Sequence, residues 1–243
     1  MTALGLLCPG HSAEDDYPRI EQLLGSDIRV DLARTDAGEE TRRTDALGRM
    51  GAPERLAAGV QELRHTGAEA VVWACADGSF AYGWEGAHEQ VRSLARTAGM
   101  PASSTSFAFV HAIRELGVGR VAVGATYPEE VTALFADFLR ADGIEVVGVH
   151  SAGGVPAAGG GARGEAEVLS LARRADRPDA EAVLLPDTAL STAAHVTTLE
   201  EELGKPVLTA SQVTVWEALR LADRRVNAPE LGSLFNREPV VQV

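Results

Sequence analysis

The chain has 243 residues, 45% hydrophobic and 23% charged, enough for one large α/β domain or two small ones around a shared cleft. Its 35 acidic residues outnumber 22 basic ones for a net charge of −13, and no Lys/Arg stripe exists, which argues against a nucleic-acid partner. No apolar run approaches the ~20 residues of a membrane helix, and the single lysine, Lys205, leaves Schiff-base chemistry only one residue to rest on.

In chain order, ALGLLC (3–8) reads as a strand ending at Pro9-Gly10, and DIRVDLA (27–33) as a second strand. PERLAAGVQELRHTG (53–67) places Leu56, Val60 and Leu63 at helical spacing and closes on Gly67. AEAVVWA is a near-continuous apolar run, the mark of a strand covered on both faces. HEQVRSLARTAG (88–99) is helical and PASST (101–105) is a weak strand. RVAVGA (120–125) is a strand, PEEVTALFADFLRADG (128–143) a helix and IEVVGV (144–149) a strand. A helix follows near 165–175, then AEAVLLP, a helix from about 191 to 203, the strand KPVLTA (205–210) and a last helix from near Ser211.

The chain also repeats itself. AEAVVWACADGS (68–79) parallels AEAVLLPDTALS (180–191), with Cys75 and Asp187 at the same place in each copy. GMPASSTSFAFVHAIRELG (99–117) parallels GKPVLTASQVTVWEALRLA (204–222), and LGLLCPGH (4–11) parallels RVAVGATY (120–127). Alternating strands and helices predict parallel sheets. The duplication predicts two doubly wound α/β lobes related by a pseudo-twofold axis, residues 1–98 with 212–243 against 99–211. Ligands bind such sheets beyond the carboxyl ends of their strands, so both loops are expected to face one cleft. Gly159-Gly160-Gly161-Ala162-Arg163-Gly164 matches GxGxxG but lies too far past its strand for a dinucleotide fingerprint, and reads as a loop.

Cys75 has two readings. It is either a small apolar filler at a strand end or a nucleophile whose pKa is lowered by amides of Ala76, Asp77, Gly78 and Ser79. Asp187 is either the N-cap of the segment after it or an acid/base partner facing Cys75. Tyr127, ahead of Pro128-Glu129-Glu130, is either an ordinary loop tyrosine or a carboxylate holder. His11 and Ser12 occupy the equivalent place after the first strand and are candidate substrate contacts, as are Ala76 and Asp77 after Cys75 and Thr188 and Ala189 after Asp187. Cys8, Trp73 and Trp216 read as core. Neither cysteine has metal-ligand spacing, and the remaining histidines form no ligand set, so no metal is expected. MTALGLLCPGHS has no basic n-region and too short an apolar run for a signal peptide, so the expectation is a cytoplasmic chain with reduced thiols and no membrane partner.

Together, PGHS (9–12), ACADGSF (74–80), ATYPEEV (125–131), LLPDTALST (184–192), LGKPVLTASQVTVWEALRLA (203–222) and ELGSLF (230–235) resemble the Asp/Glu racemase superfamily. The likeness is greatest to its maleate cis–trans isomerase and arylmalonate decarboxylase branch. That resemblance implies no cofactor, a small carboxylate or dicarboxylate substrate, and carbanion or enediolate chemistry at thiols on paired strand ends. It aligns Cys75 with the first catalytic cysteine, kept as nucleophile by the isomerases and absent from the decarboxylases. Asp187 falls where both usually carry cysteine, and Tyr127 matches a tyrosine that binds a carboxylate. Ala76-Asp77 departs from the usual hydroxyl pair, and His11-Ser12 stand where the isomerases have an asparagine. The leading expectation is therefore an isomerase with Cys75 thiolate as nucleophile. Decarboxylation with Cys75 as proton donor comes second, then racemisation by Cys75 and Asp187 or a carboxylate-binding relative without activity. A homo-oligomer is left open.

Overall fold

The computed structural model describes residues 1–10, 13–35, 47, 49–153 and 164–236. His11 and Ser12 lie outside the described residues, as do residues 154–163, which hold most of the glycine-rich run.

The first half runs β1 (Thr2–Pro9), α1 (Asp16–Leu24), β2 (Ile28–Thr35), α2 (Pro53–Leu63), β3 (Ala70–Trp73), the short α3 (Asp77–Phe80), α4 (Gly83–Ala98), β4 (Ala102–Ser104) and α5 (Thr105–Leu116). The second half answers with β5 (Arg120–Ala125), α6 (Glu129–Ala141), β6 (Glu145–Ser151), α7 (Glu165–Ala175), β7 (Ala182–Leu185), α8 (Val196–Leu203), β8 (Val207–Thr209) and α9 (Ala210–Leu221). The halves form two four-stranded parallel sheets with one order, β2-β1-β3-β4 and β6-β5-β7-β8. This is the α/β duplication expected from the repeats.

Equivalent helices end in equivalent ways. Gly99 closes α4 with φ 69° and Gly204 closes α8 with φ 65°, left-handed caps that a side chain would strain. Pro101 and Pro206 follow and turn the chain into the fourth strand of each sheet. β4, which the expected division at residue 99 assigns to the second lobe, pairs in register with β3 (Val71 opposite Ala102, Trp73 opposite Ser104) and completes the first sheet. α9 follows β8 but packs on β1, β3 and β4 of the first sheet and against α5.

Two features escape sequence pattern reading. α1 lies in a stretch to which the sequence pattern assigns no element, with Tyr17, Ile20 and Leu24 buried along one face. The helix expected from about residue 191 begins only at Val196. The lobes share one continuous apolar core. Aromatic rings seal it: Phe80 of the first lobe meets Tyr127 (centroids 6.0 Å) and Phe135 (5.3 Å) of the second. Such pairs add about 0.5–1.5 kcal/mol each beyond their buried area.

Candidate active site

In each sheet the strand order reverses between the first and third strands, and the crevice opens beyond their carboxyl ends. Cys8 ends β1 and Cys75 follows β3; Thr126 follows β5 and Asp187 follows β7. The duplication thus carries Cys75 and Asp187 to equivalent positions, with Cys8 and Thr126 at the neighbouring strand ends. The two halves meet there, since Ala13 N–H donates to the Thr188 carbonyl (2.7 Å) and the Asp187 charge bears on the Cys75 thiol. The site is enclosed: Cys75 is 0% exposed and Asp187 2%.

The chemistry of Cys75 differs from the amide-activated thiolate expected for it. Its S–H donates to Asp77 Oδ1 at 3.0 Å, while Gly78 N–H approaches Sγ at 3.4 Å and Asp77 Oδ1 at 3.1 Å. Burial pushes the thiol pKa well above its ordinary value, and the charge and hydrogen-bond acceptance of Asp77 push it further. The Gly78 amide works in the opposite direction and is outweighed. Cys75 is held as a protonated thiol. Gly78 itself permits this geometry, because a Cβ there would stand 3.0 Å from Sγ and 3.2 Å from the Trp73 ring.

Around the thiol, Ser106 Oγ donates to the Ala76 carbonyl (2.8 Å) and the Ser79 and Ser104 hydroxyls share a hydrogen bond of 2.9 Å. Asp77 is buried with them. Neither contact stands out in the sequence, because the partners are some 25–30 residues apart.

Across the cleft, Thr126 Oγ1 donates to Asp187 Oδ2, and Ala189 N–H donates to Oδ1 (2.9 Å). Asp187 therefore ties down its own loop as an Asx-type turn. It does not cap α8, which starts nine residues on at Val196. Tyr127 is buried, and its phenol donates to the Pro186 carbonyl (3.0 Å), bracing the Asp187 loop. Thr188 is buried and Ala189 half-buried on that loop. Beside them a cavity of about 390 Å³ is lined by Thr126, His150, Ser170, Arg174 and Leu190 among others. Burial and the neighbouring Arg174 and Arg177 hold the His150 pKa below its ordinary value.

Asp16 and Tyr17, at the start of α1, are further buried polar groups at this junction that sequence reading passed over. Asp16 Oδ2 accepts from Thr192 N–H (2.8 Å), Ala193 N–H (3.1 Å) and Ser211 Oγ (2.7 Å), joining the first lobe to the second. The signal was a buried carboxylate whose partners lie in another part of the chain, which no local pattern reveals.

Cys8, Trp73 and Trp216 are core as expected. Lys205 Nζ donates to the Arg177 and Ala180 carbonyls at the opposite, amino end of β8. Among the described residues no group of three or more His, Cys, Asp or Glu is placed to hold a metal ion, and no helix is long and apolar enough to cross a membrane.

Comparison with known proteins gives the same picture. Arylmalonate decarboxylase of Bordetella bronchiseptica is 33% identical over 150 residues, 59% of this chain and 61% of that protein. Maleate isomerase of Geobacillus stearothermophilus is 26% identical over 137 residues, 56% of this chain and 55% of that protein. The matched stretches thus span less than two thirds of either relative. A liganded arylmalonate decarboxylase variant, with one glycine changed to cysteine and one cysteine to serine, superposes with a TM-score of 0.85 at 26% identity. That match covers 98% of this chain and 100% of the variant. A Nocardia farcinica maleate cis-trans isomerase variant holding a covalently bound succinylcysteine intermediate superposes with a TM-score of 0.86 at 22% identity, a likeness of fold over 98% of this chain and 99% of that one. The profile of the arylmalonate decarboxylase family matches residues 40–235, and the chain belongs to that family.

Proposed function

We propose that the chain is a cofactor-independent decarboxylase of a disubstituted malonate-type acid, with Cys75 as the proton donor. The observation that carries this reading is the buried Cys75 S–H hydrogen-bonded to the Asp77 carboxylate. In the reaction, the bond between the α-carbon and one carboxylate breaks and carbon dioxide leaves. The electron pair stays behind as a planar enediolate. The Cys75 S–H then turns from Asp77 to the α-carbon and gives up its proton, and the thiolate recovers one from solvent. The backbone N–H groups of Ala76 and Thr188, one on each loop, are the donors this reading uses for carboxylate and enediolate oxygens. Substrate and product differ by one negative charge, so turnover relieves repulsion from the buried carboxylates of Asp77 and Asp187.

A second reading is cis–trans isomerisation of a small dicarboxylate, in which Cys75 thiolate adds to the double bond, the new single bond rotates, and the thiolate leaves. The Gly78 N–H approach to Sγ favours it, since that amide stabilises a thiolate. Maleate, aryl- and alkylmalonates, and chiral 2-aryl and amino acids, followed by NMR in D2O, separate the readings. Carbon dioxide loss with one deuterium at the α-carbon is the expected result, and Cys75→Ala abolishes it. Cis–trans conversion of maleate without carbon dioxide loss would transfer the site to the isomerase reading. Activity surviving in Cys75→Ala would remove Cys75 from both.

A further inference from the structure

Among the described residues the Tyr17 phenol has no role in hydrogen bonding. It is 2% exposed, in the first turn of α1, and no hydrogen bond of its hydroxyl occurs among the described residues. A phenol whose proton no described protein group accepts calls for an explanation. Its surroundings supply one. β1 and β3 run side by side in register (Leu7 opposite Trp73), and Ala74 N–H donates to the Leu7 carbonyl (2.8 Å). Cys8 and Cys75 therefore leave adjacent strand ends. Burial holds the Tyr17 phenol protonated, and the carboxylates of Asp16 and Glu14 and the two thiols lie near enough to reinforce it. A neutral phenol beside the reacting thiol is a hydrogen-bond donor in search of an anion.

The other buried tyrosine of the cleft, Tyr127, sends its phenol proton to the Pro186 carbonyl. The donor role that resemblance assigns to Tyr127 thus falls on a residue whose proton is already directed into the second lobe.

We propose that Tyr17 is a substrate-binding residue of this site, its phenol donating to a carboxylate oxygen of the molecule that reacts at Cys75. The inference rests on the reading that a carboxylate binds beside Cys75, and it holds for decarboxylation and isomerisation alike. It also accounts for the bare hydroxyl: the missing partner is the substrate.

Alkylation of Cys75 tests the assignment without requiring turnover. Iodoacetate and iodoacetamide each lose iodide to the same thiolate and form the same S–CH2 bond, but only iodoacetate presents a carboxylate. The ratio of the two rates therefore cancels changes in thiol acidity and reports carboxylate recognition. Peptide mapping by mass spectrometry separates Cys75 from Cys8. In Tyr17→Phe the iodoacetate-to-iodoacetamide ratio at Cys75 falls about tenfold, the scale of one hydrogen bond to a charged group. The thermal midpoint stays within a few degrees, because the hydroxyl has no partner to lose among the described residues. An unchanged ratio in a folded Tyr17→Phe protein overturns the proposal. So does a ratio that falls in Tyr127→Phe and not in Tyr17→Phe. A fall in the ratio for Tyr17→Phe, in a protein that decarboxylates no malonate, sustains Tyr17 and sinks only the choice of reaction.

Discussion

Cys75 and Asp77 show how two residues set the state of a site. A thiol followed by small residues is ready for amide activation, yet the nearest strong partner of Cys75 is a carboxylate two residues on, and both are buried. Burial is the larger cause of the raised thiol pKa and Asp77 the next. Replacing Asp77 by Asn removes the charge and keeps an oxygen to accept from S–H. The thiol then becomes more acidic, and iodoacetamide alkylation of Cys75 at neutral pH speeds up on the order of tenfold. A rate equal to wild type would mean that burial alone sets the thiol state. Both residues were legible in the sequence as site candidates. What was not legible was the sign of their coupling, which depends on how deeply the loop is buried and on an S–H pointing at the carboxylate rather than at solvent. Tyr127 teaches the same lesson, since the sequence placed it at a strand end but could not say that its phenol is spent on Pro186.

At the scale of elements, the repeats made the eight strands readable, because each lobe uses the same apolar runs and the same Gly-x-Pro turn into its fourth strand; the order of strands within each sheet was not. α1 escaped because Pro18 stands in its first turn, a place where proline is tolerated but that looks like a loop on paper. The contact of α5 with α9 was also invisible locally. There Glu217, fully buried, accepts from Arg220 (2.7 and 2.9 Å) and pairs with His111 (3.0 Å) on the facing helix. Burial alone would raise its pKa, but the hydrogen bonds from Arg220 and His111 more than offset that and bring it to about 2. A carboxylate with a depressed folded pKa stabilises the protein above its unfolded value of 4.5, and that contribution is lost as pH falls from there toward about 2. The full contribution is about 3 kcal/mol on the usual conversion. Urea midpoints measured across that range should fall steeply with acid in the wild type and markedly less so in Glu217→Gln. At neutral pH the Gln variant should be about 3 kcal/mol less stable, because it strands Arg220 and His111 without their charge. Parallel acid profiles for the two proteins would refute a stabilising role for this pair.

For the whole molecule, an enclosed candidate site between two duplicated lobes requires that the lobes stay registered, since each supplies one of its two loops. Asp16 is placed for that task. It belongs to the first helix of the first lobe, yet Thr192 N–H, Ala193 N–H and Ser211 Oγ of the second lobe converge on one of its oxygens. The Ala13–Thr188 hydrogen bond lies alongside. Burial raises the Asp16 pKa, and the three donors oppose that rise. The carboxylate is thus costly to bury and is kept by the partners it joins. Asp16→Ala leaves these donors facing a buried gap and should cost about 2–4 kcal/mol. Asp16→Asn keeps an acceptor oxygen and should cost roughly half as much. The discriminating measurement is native-state hydrogen exchange. If Asp16 acts as the clasp between lobes, the Thr192 and Ala193 amides exchange faster in Asp16→Ala under conditions where the β5 and β7 amides keep their protection. Uniform loss of protection across both sheets would instead make Asp16 a contributor to global stability alone. Local opening would show that the Asp187 loop is held to Cys75 by a residue belonging to neither.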